Sequence, residues 1–191
     1  MSSAVEVSEA GPDDGSPRRG SADRAFREWF DRDYPRVVGV ARRVLDPAAR
    51  TPASLQLAED LTVESFSRLR WTRRRGSVAT TALLRRTLDG CMDSLVGHPG
   101  ELSVHPELLG PDMALDPALS VAELHGALAT MRAPDRHVGL LALGGGYAPS
   151  SVALLLQRPL DEVLGRLARV GTRITDARRL GLAGPTGTED R

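Results

Sequence analysis

"YAPSSVALLLQRPLDEVLGRLARV", residues 147–170, carries apolar residues at the spacing of two short helices joined by a tight turn. Val152, Leu155 and Leu156 fall on the side of the first helix that would meet Val163, Leu167 and Val170 on the second, and the small Ala153 sits where the two must cross closely. Pro159 suits the opening of the second helix, because its fixed φ is helical and its missing N–H is one that a first turn leaves unpaired anyway. Gln157 occupies the turn, where a left-handed backbone costs a residue with a side chain roughly 1 kcal/mol. The pair is predicted to be a helix-turn-helix, which reads DNA when polar side chains open its second helix. Here that opening holds Asp161 and Glu162, which suit the helix dipole but repel phosphate.

Upstream, "ALSVAELHGALATM" and "APDRHVGLLALGGGY" complete a block of four helical segments over residues 118–179, with Pro134 at a first helical position and glycines 144–146 ending the helix they follow. An earlier block, residues 26–96, is helical as well. "FREWFDRDYPRVVGVARRVL" lays Phe26, Phe30, Val37, Val40, Ala41 and Val44 opposite Arg36, Arg42 and Arg43, and Pro35 is expected to interrupt or restart that helix. "SLQLAEDLTVESFSRLRW" has Leu57, Leu61, Phe66 and Leu69 as its apolar positions and Glu59, Asp60 and Glu64 as an exposed acidic patch. "GSVATTALLRRTLDGCMDSLVG" places Leu84, Leu88, Cys91 or Met92, and Leu95 on one side, with Gly90 weakening it by about 1 kcal/mol. The fold class is all-α.

Charge separates the blocks. Residues 26–96 hold 9 acids and 13 arginines and residues 118–179 hold 5 and 8, whereas the connector "GHPGELSVHPELLGPDMALDP" (97–117) holds 4 acids, no arginine, and many Gly and Pro. Two small domains joined by a flexible linker are expected, flanked by a disordered leader (1–25) and tail (180–191). A chain of 191 residues with 41% apolar content can fill one modest core or two small ones. All 25 basic groups are arginine, a bias that GC-rich codon usage explains as well as any function. The single Cys91 excludes an intramolecular disulfide. No stretch approaches the ~20 apolar residues of a membrane span, and the first 25 residues lack the apolar run of a signal peptide, so a cytoplasmic protein is expected.

Order, separation and motif content resemble the extracytoplasmic-function class of bacterial sigma factors. "AEDLTVESFSRL" is similar to the helix by which that family grips RNA polymerase, "FREWFDRDYPRVVGVARRVL" to the helix before it, and the stretch from "ALATMRAPDRHVGLLALGGGY" to "LARVGTRI" to its region-four helices. The resemblance implies that Asp60, Leu61, Glu64 and Phe66 bind the clamp of the polymerase's largest subunit. It also implies that the arginine tract containing Arg73, Arg74 and Arg75, together with Arg86, approaches the melted promoter strand, since guanidinium groups neutralise phosphates and stack on unpaired bases. Ser150, Ser151, Arg158, Arg166, Arg169 and Arg173 join the DNA-contacting set, and an anti-sigma factor is a further partner compatible with the class.

Several positions depart from the family pattern. Ala82 stands for an aromatic, Asp89 for an asparagine, Val96 for a basic residue, and Leu164 and Gly165 for a lysine and a serine. Two functions therefore remain open: a promoter-specific initiation factor, and a sigma-like regulator that keeps polymerase or partner binding without opening promoters. Catalysis, metal and cofactor are not expected, because His98, His105, His125 and His137 make no metal spacing, no nucleophile has a base beside it, and the glycines at 144–146 lack the strand and lysine of a phosphate loop.

Overall fold

The computed structural model describes residues 17–46, 52–73, 80–97 and 120–180, which form seven α-helices and one π-helical turn with no strand among them. In the first block α1 (Pro17–Leu45), α2 (Pro52–Arg73) and α3 (Thr80–Gly97) pack against one another. Helix α1 runs without a break through Pro35 and starts within the leader expected to lack structure. Packing explains the continuity through Pro35. Proline removes a single backbone donor from an exposed turn, while Trp29, Val37, Val38 and Ala41 on either side are buried, so packing outweighs the local cost. At its start, α1 is tied to α2: Arg70 donates to Asp23 (2.8 Å) and lies 4.9 Å over the Phe26 ring.

All three phenylalanines, with Trp29 and Tyr34, form an aromatic cluster between α1 and α2. Phe66 is at its centre, 4.6 Å from Trp29 and 4.7 Å from Phe30 between centroids, and only 1% of it is exposed. Below the cluster α2 and α3 approach closely enough that a Cβ on Gly90 would meet Leu61 Cδ2 at 3.0 Å. A glycine that weakens α3 as an isolated helix thus serves its packing.

In the second block Ser120 and Glu123 form a reciprocal capping box at the start of α4 (Val121–Ala129), a signature present in the sequence as S-x-x-E. Helix α5 (Ala133–Gly139) passes into a π-helical turn, Leu140–Gly144, whose five residues are all buried, and the chain leaves it at Gly145. Helices α6 (Pro149–Leu156) and α7 (Leu160–Arg179) follow. Gln157 between them has φ 51°, ψ 55°, the left-handed conformation expected of it. Val152, Leu156, Val163, Leu167 and Val170 are buried between the two helices and the rest of the block.

The blocks share one core. A continuous buried cluster joins Val44, Leu84, Leu88, Cys91 and Leu95 of the first to Leu124, Leu128, Leu140, Leu143 and Leu156 of the second, with α3 against α4, α5 and α6. Residues 97–117, expected to link them, fall mostly outside the described residues. Burial pushes His125 of α4 down to about 4, so it is held neutral in this core at physiological pH. No helix among the described residues is long and apolar enough to cross a membrane.

Gln157→Gly removes the steric cost of the left-handed turn without touching a buried contact. The variant is expected to be about 1 kcal/mol more stable in urea denaturation, and a loss of stability would show that the Gln157 side chain contributes more than its backbone strain costs.

Candidate polymerase and nucleic-acid surfaces

The acidic side of α2 is where the sequence reading placed it. Asp60 and Glu64 are exposed one helical turn apart, and Glu64 is paired with Arg68 on the same helix. Leu61 is half-buried against the core. Phe66 does not belong to this surface. Its apolar spacing was read correctly, but it faces the aromatic cluster from the opposite side of α2, so its role is to hold α2 on α1. Arg74 and Arg75 lie outside the described residues; Arg73 closes α2, and Arg86 on α3 is exposed.

On the helix pair the candidate DNA contacts differ sharply in availability. Arg166 is clamped: its Nε and Nη2 donate to Glu162 Oε1 (3.1 and 2.8 Å) and its Nη1 donates to Asp135 Oδ1 (2.9 Å). Arg169 reaches the same Asp135 oxygen at 3.2 Å, and Arg158 lies 3.7 Å from Glu162. The hydrogen bond from Arg166 to Glu162 above all, with that to Asp135 and the charge of both acids, raises the guanidinium above its ordinary value although burial opposes this. Arg173 is exposed, with no ion pair among the described residues, and Ser150 is exposed at the start of α6. Where a DNA-reading helix presents polar groups, α7 presents Leu164, 49% exposed, with Leu160 one turn before it.

The acid at 89 has a structural explanation that sequence reasoning missed. Arg136 Nη2 donates to Asp89 Oδ1 at 2.7 Å, and His137 Nε2 lies 2.8 Å from the same oxygen, so Asp89 of α3 is bound by two side chains of α5. Burial pushes the Asp89 carboxyl up, but these hydrogen bonds and charges outweigh it and hold it below the usual carboxylate range. A second tie runs from α1. Arg43 donates to the carbonyls of Gly145 (2.6 Å) and Gly146 (3.3 Å) and sits 4.6 Å over the Tyr147 ring. These partners are separated by 47 to 103 residues, and nothing in the sequence reading pointed to them.

No protein-family profile matches the chain, and no curated protein or solved structure is detectably similar to it.

Asp89→Asn keeps the shape of the seam and removes its charge. The loss should be about 1 kcal/mol at pH 7, toward the lower end for a charged hydrogen bond because 34% of the side chain meets solvent. Since the folded carboxyl titrates below its ordinary value of about 3.9, its contribution is present above that value and disappears as pH falls through the folded pKa. The stability gap between wild type and variant should therefore narrow progressively as pH falls below the ordinary carboxylate value; a gap independent of pH would remove the ionic account of this contact.

Proposed function

We propose that the chain is a sigma-type transcription initiation factor that docks on RNA polymerase core through the acids of α2 and carries the α6–α7 pair to promoter DNA. The observation that carries this reading is the left-handed turn at Gln157 between two helices whose inner faces share one apolar cluster, the framework that lets a second helix lie along a groove. Asp60 and Glu64 support the polymerase half, as an exposed acidic helix face complements a basic clamp.

A second reading is favoured by a different observation. Arg166 is neutralised by Glu162 and Asp135, and Leu164 stands exposed beside it, so α7 offers few groups to base edges or phosphates. That pattern suits a sigma-like regulator that binds polymerase or a partner protein without opening promoters.

Run-off transcription with purified polymerase core and a promoter library separates the two. Initiation at defined sites supports the initiation factor; stable core binding with no transcript supports the regulator. In either case the double variant Asp60→Arg, Glu64→Arg should fold normally by circular dichroism and lose core association in co-purification. Retention at wild-type levels would remove the proposed docking face.

If α7 tracks DNA, its arginines should also divide by availability. Arg173→Ala is expected to flatten the log-log salt dependence of duplex binding by about 0.9. Arg166→Ala should instead lower stability, since it leaves Glu162 and Asp135 without their shared partner. Equal salt slopes for wild type and Arg173→Ala would make that arginine a solvated surface group.

A further inference from the structure

Between the two helical blocks lies a cavity of about 220 Å³. Pro134 and Val138 of α5 and Leu156 of α6 give it an apolar lining, and Arg85 of α3, Arg158 of the turn and Arg166 of α7 line it as well. Its charges are unequally satisfied. Arg166 is held by two carboxylates, and Arg158 reaches Glu162 only at 3.7 Å. Arg85 is half-buried, donates to the Leu156 carbonyl at a long 3.5 Å, and has no carboxylate partner among the described residues.

A guanidinium withdrawn from water beside apolar groups is costly unless an anion meets it. Its forked N–H donors fit a carboxylate or phosphate, which can accept two hydrogen bonds at once. The volume limits what can carry that anion. A cavity of about 150 Å³ holds benzene, so this one admits a single ring-sized body with an oxyanion attached.

We propose that the cavity binds a small organic anion, a compact aromatic or branched aliphatic body bearing one carboxylate or phosphate. Arg85 and Arg158 hold the oxyanion, and Val138, Leu156 and Pro134 receive the body. Because the lining comes from α3 on one side and from α5, α6 and α7 on the other, the anion binds only while the blocks are packed together. Its binding therefore stabilises that packing by mass action. The site depends on neither reading of the chain's function.

Titration calorimetry and thermal unfolding of the full chain at constant ionic strength test it, with benzoate, phenyl phosphate and uncharged benzyl alcohol as probes. Benzoate or phenyl phosphate should bind and raise the unfolding midpoint with concentration, and benzyl alcohol should not. Binding of benzoate alone assigns a carboxylate ligand, and of phenyl phosphate alone a phosphate ligand. Arg85→Gln should weaken the bound anion about tenfold, the equivalent of one charge-assisted hydrogen bond. Arg158→Gln, at an exposed position where folding is not at stake, should weaken it likewise. The proposal is overturned if neither anion binds, if benzyl alcohol binds as tightly as the anions, or if both variants keep wild-type affinity.

Discussion

Burial of α3 on both of its sides is the constraint from which the rest follows. Leu83 faces the aromatic cluster of α1 and α2, while Leu84, Leu88, Cys91 and Leu95 belong to the cluster that continues into α4, the π-helical turn and α6. An apolar helix placed in this way cannot leave one block without exposing the core of the other. Packing at such density also fixes what must lie at its edges. Asp89, at the rim of α3, is brought against Arg136 and His137, and Arg85 against the end of α6. The polar seam is thus a consequence of the apolar one. Unpaired, its charges would cost more than they contribute when paired.

The same constraint redistributes the arginines that the sequence reading assigned to DNA contact. Arg166 and Arg169 converge on Asp135, which sits in the first turn of α5 and is brought to α7 because α5 packs across it. Gly139 permits that approach: a Cβ there would stand 2.5 Å from Leu128 Cδ2 and 3.2 Å from Val170 Cγ1. Close packing of α4, α5 and α7 therefore sets the electrostatics of the outer helix. A phosphate arriving at Arg166 must displace two carboxylates, whereas Arg173 is exposed and has no carboxylate partner among the described residues.

Much of this was legible in the sequence, and the boundary is physical. Helical periods gave the elements, and Gln157 gave the turn, because both are set by residues within a few positions of one another. Phe66 shows where local reading stops. Its spacing marks it as apolar, but whether an apolar residue meets a partner protein or the chain's own core depends on α1, whose Trp29 and Phe30 lie more than thirty residues earlier. Pro35 misled for the same reason, its local cost being visible and the burial that outweighs it not. Asp89 read as a departure from a family pattern, since nothing near it in sequence announces Arg136 and His137.

The absence of lysine looks different beside these contacts. Codon usage can explain why arginine is abundant, but two of the contacts it makes use geometry particular to its guanidinium, one between the blocks and one within the second. Arg43 spans two consecutive carbonyls while its guanidinium carbon lies 4.6 Å from the centre of the Tyr147 ring, and Arg166 links Glu162 and Asp135 through three different N–H groups. Each geometry uses the planar fork, with donors fixed at separate angles on one rigid group. An ammonium at the end of a flexible stem could meet one of those acceptors well and would have to share its compact charge among the others. Whatever the origin of the bias, it has a structural use here. Where two small helical blocks meet with few aromatic residues to spare, bridging guanidinium groups join what the apolar cluster leaves open at its edge.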